Sequence, residues 1–157
     1  MIIVTLASIF GKMTEVTFFN PEFDPGTKLV YSIVVARYKN KWLFVRHHKR
    51  ETLEIAGGHI EDNESPDEAA KRELSEETGA KDFLIDCIAT YSVRKKGTTG
   101  FGRLYFAEVT NLDPIPISSE IADLVQMDHL PDKLTHPDIQ PQLFKHVQEY
   151  LKSKEAS

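Results

Sequence analysis

The segment from Gly58 to Gly79 constrains this chain more than any other feature, because it carries nearly all of the net charge. It holds eight acidic residues against Lys71 and Arg72, a local charge of -6 over 22 residues. The whole chain of 157 residues has a formal charge of -5, from 24 acids and 19 bases, so the other 135 residues carry +1. The segment is therefore either a solvated acidic face or a site built to hold cations.

The same segment contains the clearest helix signal in the sequence. Ser65 can act as the N-cap, Pro66 suits the first helical position, and Glu68 completes a capping box. Gly79 stands where a left-handed C-terminal stop is expected. The pattern predicts a helix from Ser65 to Thr78.

Three acids on that helix favour a metal site. Glu73, Glu76 and Glu77 stand at i, i+3 and i+4, so their carboxylates share one face. Like charges at this spacing repel, and negative charge is disfavoured near a helix C-terminus. A divalent cation would reverse both effects, and hard oxygen ligands select Mg²⁺, Mn²⁺ or Ca²⁺. The plain alternative is an exposed acidic stripe, whereas an EF-hand lacks its aspartate spacing here.

Composition excludes several classes of protein. The length and the 41% apolar content fit one domain, residues 1–157, with residues 1–14 as an extra N-terminal strand or an extension. Cys87 is the only cysteine, which excludes a disulfide scaffold and a cysteine-based zinc site and favours a reducing, cytoplasmic setting. No apolar run reaches the length of a membrane span, and the net charge argues against binding to duplex nucleic acid.

The rest of the chain reads as strands with few helices. Apolar, β-branched runs predict strands at 16–19, 29–37, 42–46, 53–55, 83–93 and 103–109, with a basic loop at 94–102. Residues 120–127 fit a strand or a short helix. Ile139, Leu143, Val147 and Leu151 recur every four residues and predict an amphipathic helix over 138–152. The expected class is α/β (α+β), a mixed sheet flanked by helices.

A known family shares the acidic pattern. Gly58, five residues, Glu64, seven residues, and then Arg72-Glu73-Leu74-x-Glu76-Glu77-x-Gly79 resembles the Nudix box of MutT-like Nudix hydrolases at every spacing. Ala80 departs from the usual larger aliphatic residue, and Ala56 and Leu53 replace a common Pro and Trp. The resemblance implies the family's fold, an α-β-α sandwich around a mixed sheet.

The resemblance also implies an activity and residue roles. Nudix enzymes hydrolyse a nucleoside diphosphate linked to another group, and bound Mg²⁺ or Mn²⁺ neutralises phosphate charge and activates water. Glu76 and Glu77 would be the principal metal ligands, with Glu73 as a third ligand or the base. The carbonyl of Gly58 would be a backbone ligand. Arg72 and Glu64 would pair to orient the helix face.

Residues outside the box complete the expected site. The family often uses a further acid, for which Glu120 is the candidate and Glu54 and Glu108 are competitors. Arg46 and Arg50, in the densest cationic cluster, could meet substrate phosphates, or that cluster could be a solvated hairpin end. His47 and His48 lack a ligand partner at i+4, so we expect them to be surface residues.

The substrate is inferred by elimination. Beyond the box, residues 94–98 lack the Pro typical of ADP-ribose enzymes and the Tyr typical of dinucleoside polyphosphate enzymes. A nucleoside triphosphate is therefore expected, including an oxidised purine such as 8-oxo-dGTP. Phe23, Tyr31 and Phe101 could stack on its base.

Alternatives remain open at this point. They are a Nudix hydrolase of ADP-ribose, a nucleotide sugar or a dinucleoside polyphosphate; a non-catalytic nucleotide-binding module; and an acidic helix that binds a basic partner. The chain could act as a monomer or a homodimer.

Overall fold

Strands form the centre of the computed structural model, which describes residues 3–6 and 13–156. The eight strands found among these residues are β1 (Ile3–Leu6), β2 (Thr14–Phe19), β3 (Leu29–Tyr38), β4 (Lys41–His47), β5 (Ala56–His59), β6 (Ala80–Lys95), β7 (Thr98–Leu112) and β8 (Ile121–Met127). The helices are α1 (Pro66–Thr78) and α2 (Gln140–Glu155). The mixed sheet predicted from the sequence is confirmed.

The order of the strands explains where a cleft can form. The sheet runs β1-β2-β6-β7-β3-β4-β8, and its β3–β7 pair is parallel. On the other edge of β3, β4 pairs with residues 36–38 and β5 pairs with residues 31–34. Two strands thus share one edge of β3, and residues of both, His47 on β4 and residues 57–59 on β5, line one cleft.

The two faces of the sheet bury different clusters, because side chains alternate along each strand. On β3, Val35 belongs to the cluster that includes Leu143 and Phe144 of α2. Val34 belongs to the opposite cluster, which includes Leu74 of α1. One helix therefore covers each face, as the α-β-α architecture requires.

Helix α1 begins and ends as its sequence predicts. The Ser65 hydroxyl accepts a hydrogen bond from Glu68 N–H at 3.1 Å, and the Glu68 carboxylate accepts one from Ser65 N–H at 3.0 Å. Gly79 has φ +79°, and a Cβ there would overlap the carbonyl oxygen of Asp113. The predicted helix, with its capping box and glycine stop, is confirmed.

Other elements differ in their bounds. Residues 53 and 54 form only isolated bridges, and the strand instead spans β5 and includes both glycines. The predicted loop at 94–102 is wrong, because β6 and β7 continue to a tight turn at Lys96 (φ +53°) and Gly97 (φ +78°). Residues 121–127 form a strand. Helix α2 lies two to three residues further along the chain than predicted.

The structure describes part of the expected N-terminal strand, residues 3–6. Residues 3–6 pair antiparallel with β2, from Ile3 opposite Phe18 to Leu6 opposite Glu15. The remainder of that expectation, residues 1–2 and 7–12, lies outside the described residues. Neither α1 nor α2, the helices of the described part, has the length and apolar content of a membrane-spanning helix.

Candidate active site

Two of the three acids of α1, Glu73 and Glu77, lie beside the glycines of β5 and line a cleft, whereas Glu76 is not among the residues that line it. The side chains of Glu73 and Glu77 are largely buried, whereas that of Glu76 is 54% exposed. Glu77 Oε1 accepts a hydrogen bond from Gly57 N–H at 2.8 Å, which ties the helix to β5. The spacing thus brings Glu73 and Glu77 to the cleft, and the metal-binding roles of all three acids remain a prediction.

Glycine is required where β5 passes the helix. A Cβ on Gly58 would lie 2.5 Å from Glu73 Oε1, closer than van der Waals contact allows. Gly57 has φ +152°, a conformation that residues with side chains rarely adopt. The paired glycines let two carboxylates approach the backbone closely.

Arg72 is the hub that holds the acidic face together. It donates to both oxygens of Glu64, from Nε at 2.6 Å and from Nη2 at 2.9 Å. Nη1 donates to Glu73 at 2.8 Å and to Glu76 at 3.3 Å, and Nη2 also donates to the carbonyl of His59. The Arg72 hydrogen bond lowers the pKa of Glu64 to about 2, and the same bond raises the pKa of Arg72.

Burial has the opposite effect on the two inner acids. Desolvation raises the pKa of Glu77 to about 8, opposed by the Gly57 hydrogen bond. Desolvation also raises the pKa of Glu73, opposed by the hydrogen bond from Arg72. Both carboxylates thus lie where a nearby cation would be strongly favourable.

His47 lies within this acidic group, so the expectation that it is a surface residue is wrong. Its Nε2 is 3.7 Å from Glu54 Oε2 and 3.6 Å from Glu77 Oε2, and its Nδ1 is 3.9 Å from Glu120 Oε2. Only 22% of the His47 side chain is exposed. The absence of a ligand residue four positions away excludes a pair of metal ligands on one helix. It does not exclude an inward-facing histidine at the end of a strand.

Strand pairing brings the acids outside the box to His47. The backbones of Val45 and Glu54 exchange two hydrogen bonds, of 2.9 and 2.8 Å, and His48 N–H donates to the carbonyl of Glu120 at 3.1 Å. Glu120 and Glu54 both line the cleft, although the Glu120 side chain is 87% exposed. Side chains two residues apart on a strand point to the same face, so the apolar Val45 was the sequence signal that His47 faces inward.

The remaining candidates divide between the cleft and the outer surface. Arg50 lines the cleft and donates to Glu54 at 2.6 Å. Arg46 instead pairs with Asp123 at 2.6 Å and is not among the residues that line the cleft. Glu108 pairs with Arg37 on another part of the sheet, also outside the cleft lining.

The cleft itself has a volume of about 760 Å³ and has two chemically different parts. Gly58 and five acids line one part, and the acids are Glu54, Glu61, Glu73, Glu77 and Glu120. Aromatic and aliphatic side chains line the other, and they are Tyr31, Ile33, Ile55, Tyr91, Val93, Phe101, Ile139 and Leu143. Phe23 stacks on Phe19 and is not among the lining residues.

The donor set fits a hard divalent cation. Glu73, Glu77 and the backbone of Gly58 meet at one end of the cleft, and carboxylate and carbonyl oxygens are the ligands that Mg²⁺ and Mn²⁺ prefer. Within residues 3–6 and 13–156, no three acid, histidine or cysteine side chains already converge on one point. Arg72 instead contacts one oxygen of Glu73 and one oxygen of Glu76, and the second oxygen of each carboxylate could meet a cation.

Comparison with known proteins identifies the family of this chain. The NUDIX domain family matches residues 26–147. A Bacillus subtilis (strain 168) protein named "Putative 8-oxo-dGTP diphosphatase YtkD" is 31% identical over 126 residues, which cover 80% of this chain and 78% of the relative.

Solved structures give the same picture. The pyrophosphohydrolase BsRppH of Bacillus subtilis has a TM-score of 0.70 and 26% identity, over 87% of this chain and 92% of that one. A NUDIX hydrolase from Nitrosomonas europaea has a TM-score of 0.62 and 25% identity, over 81% and 91%. The fold, the complete acidic box and these matches agree, and the chain belongs to the NUDIX family of pyrophosphohydrolases, which act on nucleotide-linked substrates.

Proposed function

We propose that this protein hydrolyses nucleoside triphosphates, including oxidised purine nucleotides such as 8-oxo-dGTP, to a nucleoside monophosphate and pyrophosphate with Mg²⁺ or Mn²⁺. The observation that carries the proposal is the two-part cleft, in which clustered acids adjoin an apolar and aromatic pocket. A nucleotide has the matching halves, a polyphosphate and a flat base. The name of the Bacillus subtilis relative supports an oxidised purine substrate.

The acidic end would hold the metal and the phosphates. Glu76, Glu77, Glu73 and the carbonyl of Gly58 are the proposed metal ligands. When bound, the metal neutralises phosphate charge and lowers the pKa of water. Arg50 lines the same end and can donate to phosphate oxygens in the bidentate manner of a guanidinium.

The chain's own residues would handle the proton. The oxygen of water forms a bond to phosphorus as the bridging phosphorus–oxygen bond breaks, and pyrophosphate leaves. The proton of water passes to a carboxylate, for which Glu73 and Glu120 are the two candidates, since both line the cleft. Arg72, held by Glu64, keeps the acidic face of α1 in place.

A substrate panel tests the proposal. The purified full chain is incubated with 8-oxo-dGTP, dGTP, dATP, ADP-ribose, a nucleotide sugar and a diadenosine polyphosphate, in Mg²⁺, Mn²⁺ or EDTA. The expected result is release of pyrophosphate and monophosphate from triphosphates, abolished by EDTA. Hydrolysis of ADP-ribose without hydrolysis of any triphosphate, or a full rate in EDTA, would contradict it.

A further inference from the structure

The apolar part of the cleft contains one amide side chain that the catalytic proposal does not use. Gln140 is the first residue of α2, is only 5% exposed and lines the cleft. Its Oε1 accepts a buried hydrogen bond from Ile55 N–H at 2.8 Å. A backbone N–H can only donate, so this bond fixes which end of the amide is the oxygen.

The other end of the amide, the NH₂ group, makes no hydrogen bond to any residue that the structure describes. The Nε2 atom is also not fully buried. In the described part of the chain, Gln142 Oε1 is the fully buried side-chain polar atom that lacks a hydrogen-bond partner, and Gln140 Nε2 is not such an atom. The NH₂ group of Gln140 is therefore open to the cleft, where it presents hydrogen-bond donors and no acceptor.

The surroundings of this NH₂ group suit a nucleobase. Ile55, Ile139 and Leu143 lie around Gln140 on the cleft wall. Ile55 precedes Gly57 and Gly58 on the same segment, so the apolar part is joined directly to the acidic end. A base that fills this part excludes water, and a buried donor then left unpaired costs about 1–3 kcal/mol.

We propose that Gln140 is a specificity-determining residue that favours bases presenting a keto oxygen over bases presenting an amino group at the same position. A keto oxygen accepts from the NH₂ group, whereas an amino group sets donor against donor. Hypoxanthine and adenine differ in this way at C6, and uracil and cytosine at C4. The inference rests on the proposed hydrolysis of nucleoside triphosphates.

The test compares dITP with dATP for wild type and Gln140→Glu, as kcat/KM of the full chain with Mg²⁺. Glutamate retains an oxygen for Ile55 N–H and replaces the NH₂ donor by an acceptor. We expect the wild type to prefer dITP by about tenfold or more, and the variant to lose about tenfold or more of that preference. Lys145→Gln is the matched control, since it changes the charge of α2 by the same amount at an exposed position and should leave the preference unchanged.

The inference is overturned by an unchanged dITP to dATP ratio in Gln140→Glu, or by a wild type that does not distinguish the two. If the variant fails to fold, equal kcat/KM for dITP and dATP, or for dUTP and dCTP, in the wild type would still refute the inference. If no triphosphate is hydrolysed, the proposed function fails separately, and calorimetric binding of dIMP and dAMP to wild type still tests Gln140. Equal affinity for the two monophosphates would then refute its role.

Discussion

Replacing Glu64 by glutamine removes one charge from the Arg72 hub and keeps the size of the side chain. The hydrogen bond from Arg72 lowers the pKa of Glu64 from 4.5 to about 2. The difference between these two pKa values corresponds to about 3 kcal/mol in favour of the folded state. Solvent screening near the surface of the protein reduces this value to about 1–2 kcal/mol.

The pH dependence identifies the cause. Because the folded pKa lies below the unfolded one, the contribution is present above about pH 4.5 and is lost as the pH falls towards 2. Glu64→Gln should therefore lower the melting temperature by about 2 to 8 °C at pH 7, and more than half of the difference should be gone at pH 3.

Thermal and urea unfolding followed by circular dichroism measure this difference. Glu68→Gln is the control, because it removes a charge from the first turn of α1, where glutamine can also complete the capping box. A difference between wild type and Glu64→Gln that is the same at pH 7 and pH 3, or absent at pH 7, would refute the reasoning.

Three further changes separate catalysis from folding. Gly58→Ala should lower kcat about 100-fold with an unchanged circular dichroism spectrum, because the new Cβ displaces the Glu73 carboxylate by about 1 Å. Leu74→Ala, at a fully buried position on the inner face of α1, should lower the free energy of unfolding by about 2–5 kcal/mol in urea titrations. Burial lowers the pKa of His146, which stacks on Phe18, below its ordinary 6.5, so neutral His146 contributes stability that is lost as the pH falls from 7 to 5. The raised pKa of Glu77 acts in the opposite direction over this range, so the test is the difference between the two proteins: relative to wild type, His146→Phe should become more stable as the pH falls in melting experiments.

Local rules are sufficient for α1 and its acids. Ser65, Pro66, Glu68 and Gly79 each act through a hydrogen bond or a φ angle within one turn of the helix, so the sequence alone predicts both ends. Helical spacing then puts three glutamates on one face. The hydrogen bonds between Arg72 and Glu64 are also those that the resemblance to the Nudix box implies.

The rest of the cleft depends on pairing between distant strands. His47 meets Glu54 and Glu120 because β4 pairs with residue 54 on one side and with β8 on the other. Gln140 enters the cleft through a hydrogen bond to Ile55, 85 residues earlier in the chain. No local pattern reports such contacts. The same limit applies to Arg46 and Arg50, because only their partners, Asp123 and Glu54, distinguish the arginine outside the cleft from the one that lines it.

The central claim, metal-dependent hydrolysis at the acidic end of the cleft, is tested most directly by Glu77→Gln. The variant preserves an acceptor for Gly57 N–H and replaces the other carboxylate oxygen, a metal ligand in the proposal, by an NH₂ group. With dGTP and saturating Mg²⁺, we expect kcat/KM to fall about 100-fold or more, whereas Glu68→Gln on the same helix should stay within about twofold of wild type. A Glu77→Gln enzyme that is folded and as fast as wild type would contradict the claim.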